Sequence, residues 1–352
     1  MIHVTRRLRA AAVAGILAVA AVGVAQEAAT AGSNDGGRPR GTVWVGNRGY
    51  PAVAAFDAST MELLMTVELE GLASDVAVGG FGKVFVGEEF ISQIAVIKAA
   101  TGERVGEIGT SGLRPHHLEA SRNGRWITYG MYGTNLVGLI DARTGKLVGE
   151  WQASESALAR SHASVTTANG RTIYVANDTT SEITEIDVRT GQLVLPSIAV
   201  PHAHELVLSR DERTLYVVGR TADMLHVVDL RTRSMTEEML IVSPMPDTLQ
   251  LVDRDRMMTV GLRGTPAQIQ VVSTDPLELD GDRVTIAGAG TTAGHQWTSP
   301  DGRWTLAAFE GGTTPGLARI DHRTGEIVTA EFPRSERFPD LPSRPHGLDV
   351  ER

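Results

Sequence analysis

Short segments of alternating apolar and polar residues follow one another from Gly41 onward and predict β-strands. Clear examples are Thr172-Ile-Tyr-Val-Ala and Thr214-Leu-Tyr-Val-Val, which are rich in β-branched and aromatic residues. Between such segments, pairs such as Asn123-Gly and Asn169-Gly are typical of the tight turns that join hairpin strands. No long amphipathic helical pattern interrupts this region, so the sequence predicts an all-β protein.

A second pattern in the same region is a polar turn that recurs at a regular distance. Asp141 and Asp187 are 46 positions apart, and Asp187 and Asp229 are 42 apart, a spacing typical of four-stranded propeller blades of ~40–50 residues. The seven turns are Asp57-Ala-Ser-Thr, Lys98-Ala-Ala-Thr-Gly, Asp141-Ala-Arg-Thr-Gly, Asp187-Val-Arg-Thr-Gly, Asp229-Leu-Arg-Thr, Ser273-Thr-Asp-Pro and Asp321-His-Arg-Thr-Gly. We therefore expect a single seven-bladed β-propeller over residues 41–352.

The two ends of this region are complementary. The first unit, Gly41 to Leu69, lacks an opening strand, whereas His346-Gly-Leu-Asp-Val-Glu is an opening strand with no unit after it. The C-terminal strand is therefore expected to complete the first blade and close the ring. Closure of this kind hides the strand edges that an open array would expose.

The N-terminal segment has the pattern of an export signal. Arg6, Arg7 and Arg9 precede an apolar run, residues 10–25, that ends in small residues, which predicts a signal peptide over 1–31 and a flexible spacer over 32–40. The alternative is a single membrane anchor, but the run is shorter than the ~20 residues that span a bilayer. We expect no transmembrane segment in the mature chain, export by the Sec or the twin-arginine route, and an extracytoplasmic location, secreted or in the cell envelope.

Composition narrows the chemistry that this fold can perform. The chain of 352 residues is 42% hydrophobic, has no Cys and carries a formal net charge of -9. The absence of Cys removes disulfides, thiolate metal ligands and Cys nucleophiles. The acidic balance argues against a nucleic-acid partner, and the protein is expected to be a monomer.

A family resemblance is visible in the central units. Gly170-Arg-Thr-Ile-Tyr-Val-Ala-Asn, followed by Ile186-Asp-Val-Arg-Thr-Gly, resembles the YVTN repeats of bacterial extracytoplasmic seven-bladed propellers, the YncE-like group. The resemblance covers nearly the whole chain after the leader and implies the propeller fold. It implies little about activity, because this fold hosts enzymes, cofactor sites and binding surfaces.

Histidine or aspartate recurs where each unit opens. In a propeller the first strand of each blade lines the central channel, so these openings converge on one axis. The candidate metal ligands are Asp75, His116, His162, His204, Asp247 and His346 at matched positions, with His117, His202 and His295 nearby. Imidazoles and carboxylates together favour a divalent transition metal such as copper, zinc or iron, and a haem is a further form that the metal could take.

A second set of polar residues ends the second strand of each unit and faces the same mouth of the channel. Its members are Arg48, Glu89, Tyr132, Asp178, Arg220, Arg263 and Glu310. Arg48, Arg220 and Arg263 are candidate ligands of an anionic small molecule or cofactor, since guanidinium groups form bidentate hydrogen bonds with anions. Glu119 and Glu205 alternate with the channel positions, and either is a candidate general base.

Several functions stay open at this point. The first is a propeller that binds a metal ion or metal cofactor, with a redox role as one form. The second is a lactonase-like or lyase-like hydrolytic enzyme, to whose blade openings Pro115-His-His-Leu-Glu and Pro201-His-Ala-His-Glu are similar. The third is a non-enzymatic scaffold for an envelope protein partner, and the repeated histidines could equally be inherited turn residues. No motif assigns a catalytic residue.

Overall fold

Seven antiparallel sheets form the part of the chain that the computed structural model describes, residues 38–241, 245–286, 288 and 290–351. The predicted signal peptide and most of the predicted spacer lie outside these residues. Within the described ranges no helix has both the length and the apolar character needed to cross a membrane.

The strands follow the chain from blade to blade, and each blade is numbered by its place in the sequence. Blades 1 to 3 contain β1 (Thr42–Asn47), β2 (Ala52–Asp57) and β3 (Leu63–Glu68); β4 (Ala73–Gly79), β5 (Lys83–Glu88), β6 (Gln93–Lys98) and β7 (Glu103–Gly109); β8 (Pro115–Ala120), β9 (Trp126–Met131), β10 (Leu136–Asp141) and β11 (Lys146–Gln152). Blades 4 and 5 contain β12 (Ser161–Thr166), β13 (Thr172–Asn177), β14 (Glu182–Asp187), β15 (Gln192–Leu193) and β16 (Ile198–Ala199); β17 (Ala203–Leu208), β18 (Thr214–Gly219), β19 (Met224–Asp229) and β20 (Ser234–Leu240). Blades 6 and 7 contain β21 (Pro246–Val252), β22 (Met257–Leu262), β23 (Gln268–Thr274) and β24 (Leu277–Thr285); β25 (Thr291–Thr298), β26 (Trp304–Gly311), β27 (Gly316–Asp321) and β28 (Ile327–Glu331). The last strand, β29 (Pro345–Glu351), returns to blade 1.

The ring is closed as the sequence predicts. β29 pairs antiparallel with β1, so the order in blade 1 is β29-β1-β2-β3. The innermost strands also contact one another in sequence around the channel, with β29 between β25 and β4. The prediction of a seven-bladed β-propeller, closed by the C-terminal strand, is confirmed.

The fraction of buried residues falls from the inner strands to the outermost strand of each blade. The sheet in blade 1 illustrates this, since all but one residue of β1 is buried whereas β3 has no buried residue. The cores lie between neighbouring blades, as in the cluster that joins Trp44 and Val53 of blade 1 to Val84 and Ile97 of blade 2. Because each blade buries apolar side chains against two neighbours, the ring stabilises every blade through contacts on both of its faces.

The recurring turns adopt the predicted form. In blade 3, the Asp141 carboxylate accepts a hydrogen bond from the backbone N–H of Arg143, and Gly145 has φ 69°. Asp side chains commonly hold their own turn in this way, and glycine takes the left-handed position without steric cost. In blade 4 the outermost strand is split into β15 and β16, with Pro196 between them, because proline cannot donate a hydrogen bond to a sheet.

Candidate metal centre in the central channel

The innermost strand of every blade breaks register with its neighbour at the same level of the channel. Each break is of the β-bulge kind, in which an inner strand inserts residues that the paired strand does not match. The breaks enclose the candidate residues Asp75, His117, His162, His204, Asp247, His295 and His346. A bulge changes the direction of side chains, so the fold itself turns these groups toward the axis.

Blade 3 contributes two imidazoles because of its bulge. His116 pairs with Gly130 and Leu118 pairs with Tyr129, so His117 is the extra residue. Its φ is 50°, a left-handed conformation that is uncommon for residues other than glycine. Both rings are buried, and both line the cavity described below. Backbone strain of this sort is often concentrated at functional sites.

The imidazoles are close neighbours. The ring of His117 has its centroid 4.5 Å from that of His295 and 4.7 Å from that of His162. The ring of His162 stacks on His204 with 3.6 Å between centroids, and the ring of His295 is 5.0 Å from that of His346. Residues that are far apart in the sequence therefore share one space, as the propeller geometry requires.

Two groups of side chains place potential metal-ligand atoms within 4.8 Å of one another. One group is Asp75, His117 and His295, and the other is His117, His162 and Glu205. In the first group, Asp75 Oδ1 is 3.1 Å from His295 Nδ1, and Asp75 Oδ2 is 3.9 Å from His117 Nδ1. All five residues are at least nine-tenths buried, so each group forms a desolvated set of nitrogen and oxygen ligand atoms.

Burial keeps most of these imidazoles neutral. It lowers the pKa of His117 to about 4 and lowers the pKa of His116, His162 and His346 well below the ordinary value, with the Arg48 charge adding to the effect at His116 and His346. At neutral pH each ring therefore has one nitrogen lone pair free of a proton, which metal binding requires. Burial also raises the pKa of Glu205 well above its usual range.

His204 has a different environment. Burial disfavours its charged form, but Asp178 and Asp247 outweigh burial and raise its pKa. The His204 Nε2 atom is 3.2 Å from Asp247 Oδ1. Burial acts against the Asp247 carboxylate too, yet its contacts with His204, Arg220 and Arg263 lower its pKa. These five residues form an ion-pair network beside the neutral imidazoles.

Arginine–carboxylate pairs connect neighbouring blades around this mouth of the channel. Arg48 of blade 1 lies 3.3 Å from Glu89 of blade 2, which also accepts a 2.8 Å hydrogen bond from Arg114 Nε. On the other side of blade 1, Arg263 of blade 6 lies 3.2 Å from Glu310 of blade 7, which in turn pairs with Arg344. Both glutamates are buried, so the guanidinium groups offset the charge of otherwise desolvated carboxylates.

Two cavities meet at the histidine layer from opposite ends of the channel. The narrow cavity has a volume of about 170 Å³ and includes Arg48, Arg114, Arg220 and Arg263 in its lining. The wide cavity, about 500 Å³, extends along the inner strands to the other mouth and includes Glu205 in its lining. His117 and His295 line both cavities, so this layer lies between the two chambers.

The structure brings most of the predicted site residues together. Asp75 contacts His295. The residues that line the narrow cavity are His116, His117, His162, His204, His295, His346, Asp247, Arg48, Arg220 and Arg263. His202 is not part of this cluster, because its side chain is exposed and its Nδ1 contacts the Thr221 hydroxyl.

Two arginines at this mouth, Arg114 and Arg344, are functional candidates that the sequence reasoning missed. Each stands two residues before a ring histidine, in Arg114-Pro115-His116 and Arg344-Pro345-His346. That repeated Arg-Pro-His spacing was the signal that could have found them. Glu205 was recognised only as a candidate base, whereas its contact with His117 Nε2, at 2.6 Å, adds it to the metal-ligand candidates.

Comparisons with known proteins define the class of fold. No family model and no curated protein matches the chain. Among solved structures it is similar to dihydro-heme d1 dehydrogenase NirN in complex with DHE, with 18% identity, a TM-score of 0.62, and coverage of 89% of this chain and 77% of that chain. It is also similar to a putative 6-phosphogluconolactonase from Bacteroides uniformis, with 13% identity, a TM-score of 0.68, and coverage of 89% and 100% respectively. At these identities the likeness shows the fold alone, and the chain is a seven-bladed β-propeller with a buried histidine–aspartate cluster in its channel.

Proposed function

We propose that this protein binds a divalent transition metal ion, copper, zinc or iron, in its central channel through Asp75, His117 and His295. The observation that carries the proposal is the approach of one donor atom from each of the three residues to within 4.8 Å of the others. Imidazole and carboxylate groups are ordinary ligands of these metals. When bound, such an ion polarises a carbonyl or phosphoryl oxygen or lowers the pKa of a bound water.

Buried nitrogen and oxygen atoms that lack a hydrogen-bond partner among the described residues support this assignment. Nδ1 of His116, Nδ1 of His346 and Oε2 of Glu205 are buried and have no hydrogen-bond partner among the described residues. An unsatisfied buried polar atom carries a free-energy cost and calls for an explanation such as a bound ion or water. Here three such atoms belong to residues that line the channel, which favours an ion and an accompanying ligand in that space.

The ligand that accompanies the metal is proposed to be a small anion. Arg48, Arg220 and Arg263 line the narrow cavity as its positive wall, together with Arg114. The volume, about 170 Å³, is below the ~300–1,000 Å³ of pockets that hold drug-sized ligands. This volume suits a small ligand, so the proposal is a metal ion with a small anion.

Metal content tests the proposal directly. Purified protein, dialysed against Zn²⁺ and then against buffer, is expected to retain zinc in elemental analysis, whereas His117→Ala weakens binding at least ~100-fold because it removes a ligand common to both donor groups. His202→Ala is the matched control, since that histidine lies outside the cluster and its loss leaves the zinc content unchanged. Absence of retained Zn²⁺, Cu²⁺ and Fe²⁺ from a folded wild-type protein overturns the proposal.

Metal-assisted hydrolysis of a small anionic lactone or ester is a second candidate function. It is favoured because His117 and His295 line the arginine-rich cavity, so an anion held by the arginines would lie beside the metal. We expect Arg220→Ala to raise KM for such a substrate at least ~10-fold through loss of a charge-assisted hydrogen bond, while the exposed Arg323→Ala leaves KM unchanged. A panel of anionic lactones and esters with no turnover above the uncatalysed rate would rule this candidate out.

The cellular setting is part of the same proposal. We propose that residues 1–31 direct export and that the protein is extracytoplasmic, in keeping with its resemblance to YVTN-repeat propellers. N-terminal sequencing of protein recovered outside the cytoplasm is expected to begin after Ala31 or Ala25. Recovery of the intact leader in cytoplasmic protein alone contradicts this expectation.

A further inference from the structure

The two groups of potential metal ligands have one residue in common, His117. Its ring directs different nitrogens to different carboxylates: Nδ1 lies 3.9 Å from Asp75 Oδ2, and Nε2 lies 2.6 Å from Glu205 Oε2. The two nitrogens of an imidazole lie on separate edges of the ring, so a single ion cannot bind both. The arrangement around His117 is therefore that of two adjacent donor sets rather than one enlarged set.

We propose that His117 bridges two metal ions, one bound with Asp75 and His295 and the other with His162 and Glu205. The inference rests on the proposed function and extends it from one ion to two. The bridge is an imidazolate, in which Nδ1 binds the first ion and Nε2 binds the second. The second ion would lie between His162, which lines the narrow cavity, and Glu205, which lines the wide cavity.

The hydrogen bond of His162 leaves one of its ring nitrogens available to the second ion. Its Nδ1 lies 3.0 Å from the backbone carbonyl oxygen of His204, which can only accept a hydrogen bond, so Nδ1 carries the proton. Nε2 then keeps its lone pair for a metal. Histidine ligands are commonly fixed in one tautomer by such a contact on the opposite nitrogen.

Glu205 is the third ligand candidate for the second ion and lines the wide cavity. Only 7% of the residue is exposed, and among the residues that the structure describes its Oε2 has no hydrogen-bond partner, although it lies 2.6 Å from His117 Nε2. Metal–nitrogen and metal–oxygen bonds of ~2.0–2.2 Å need the two atoms further apart than 2.6 Å. Entry of an ion therefore requires a movement of less than ~1 Å, which the wide cavity behind Glu205 can accommodate.

Binding of two metal ions across His117 exchanges protons of the protein for metal cations. The neutral ring of His117 loses its remaining N–H proton, and Glu205 loses its carboxyl proton, both to solvent. No electron is transferred and no other bond is broken. The competing arrangement, in which Glu205 only accepts a hydrogen bond from His117 and orients it toward a single ion, predicts one ion for each chain.

Metal stoichiometry separates these possibilities. The full-length protein, equilibrated with excess Zn²⁺ and freed of loose metal, is expected to hold two zinc ions per chain. Glu205→Gln, which keeps the shape of the side chain, is expected to hold one, as is Asp75→Asn. His202→Ala serves as the control and holds two.

The outcomes are distinct for the two proposals. A folded wild-type protein that binds none of Zn²⁺, Cu²⁺ and Fe²⁺ overturns the proposed function as well as the bridge. One zinc in the wild-type protein leaves the proposed function standing and overturns the bridge, and so do two zinc ions that both persist in Glu205→Gln and in Asp75→Asn.

Electron paramagnetic resonance of the protein loaded with two Cu²⁺ ions reports the bridge itself rather than the number of ions. Two Cu²⁺ ions joined by one imidazole ring couple their spins, so the wild-type protein is expected to show an attenuated, coupled signal. The same experiment with Glu205→Gln is expected to give the signal of an isolated Cu²⁺ ion. An uncoupled signal from wild-type protein that holds two copper ions overturns the bridge.

Discussion

Glycine is what allows the bulges of neighbouring blades to come together around the channel. A Cβ atom on Gly347 would lie 2.4 Å from Asp75 Oδ1 and 2.5 Å from Asp75 Cα, and one on Gly130 would lie 2.5 Å from the His162 carbonyl oxygen. Distances this short are not tolerated between non-bonded atoms. The ring of imidazoles and carboxylates thus depends on residues that contribute no side chain of their own.

Gly347→Ala is expected to destabilise the protein by about 1–3 kcal/mol, the usual cost of adding a methyl group to a well-packed site. Because the new methyl group displaces Asp75, zinc affinity is expected to fall as well. Urea unfolding gives the first quantity and equilibrium dialysis the second. Gly109→Ala is the control, because an added Cβ there meets no atom of the described residues within 4 Å. Equal stability losses in the two variants would contradict the argument.

At the scale of elements, the turn between the third and fourth strands is built around an aspartate carboxylate in five of the seven blades. In blade 7 the Asp321 side chain is buried and pairs with Arg303 at 2.9 Å, while its Oδ1 also accepts a hydrogen bond from the Arg323 N–H. The hydrogen bond from Arg303 is the largest influence, and together these contacts lower the pKa of Asp321 to about 2. The turn is therefore stabilised by the charged form of the carboxyl group.

Because the pKa of Asp321 is lowered in the folded protein, its contribution to stability decreases as the pH falls. The carboxyl group of Asp in an unfolded chain has a pKa of about 3.9, so its charged form stabilises the fold fully above that value and progressively less as the pH falls toward 2. Asp321→Asn is expected to lose about 1–2 kcal/mol at pH 7 after allowance for solvent screening. The difference from wild type is expected to shrink between pH 4 and pH 2.

Urea unfolding at a series of pH values measures this difference. Asp187→Asn in blade 4 is the matched control, since Asp187 begins the same turn and accepts hydrogen bonds from Thr190. Its loss should cost less than the loss of Asp321, because no arginine–carboxylate pair is broken. A difference between wild type and Asp321→Asn that does not change with pH would exclude the ion pair as its cause.

The elements show which parts of the molecule the sequence could predict. Turns such as Asp141-Ala-Arg-Thr-Gly depend on local hydrogen bonds, so their spacing was enough to count the blades and to align Asp75, His204 and Asp247. The bulges depend on pairing between strands, and sequence alone cannot show that His117 is an extra residue turned toward the axis. For the same reason the partner of Glu205 was not predictable, since that contact joins blades 3 and 5.

At the scale of the whole molecule, the ring depends on one pairing between distant parts of the chain. β29 supplies the inner strand of blade 1, where Leu348 and Val350 are buried in the core shared with blade 7. The same strand carries His346 into the channel. Removal of this strand would expose an edge of β1 and open the contact between blades 1 and 7.

A truncation and a circular permutant together test this closure. Deletion of residues 345–352 is expected to abolish cooperative folding of the whole protein rather than loosen one end. A permutant that begins at Leu341, joins Glu351 to Thr42 through a short turn and ends at Asp340 is expected to fold, because Thr42 and Glu351 are paired across the sheet. Calorimetry and circular dichroism report both results, and a truncated protein with an unchanged melting transition would refute this account of closure.

The layer that separates the narrow and wide cavities has a thermodynamic consequence. His117 and His295 present one side to each chamber, so a solute that reorients either ring from one side alters what a solute on the other side encounters. Linkage requires this influence to be reciprocal: the factor by which the first occupant changes the affinity of the second equals the factor in the reverse direction. Such communication needs no rotation of one blade against another, only two shared rings at the axis.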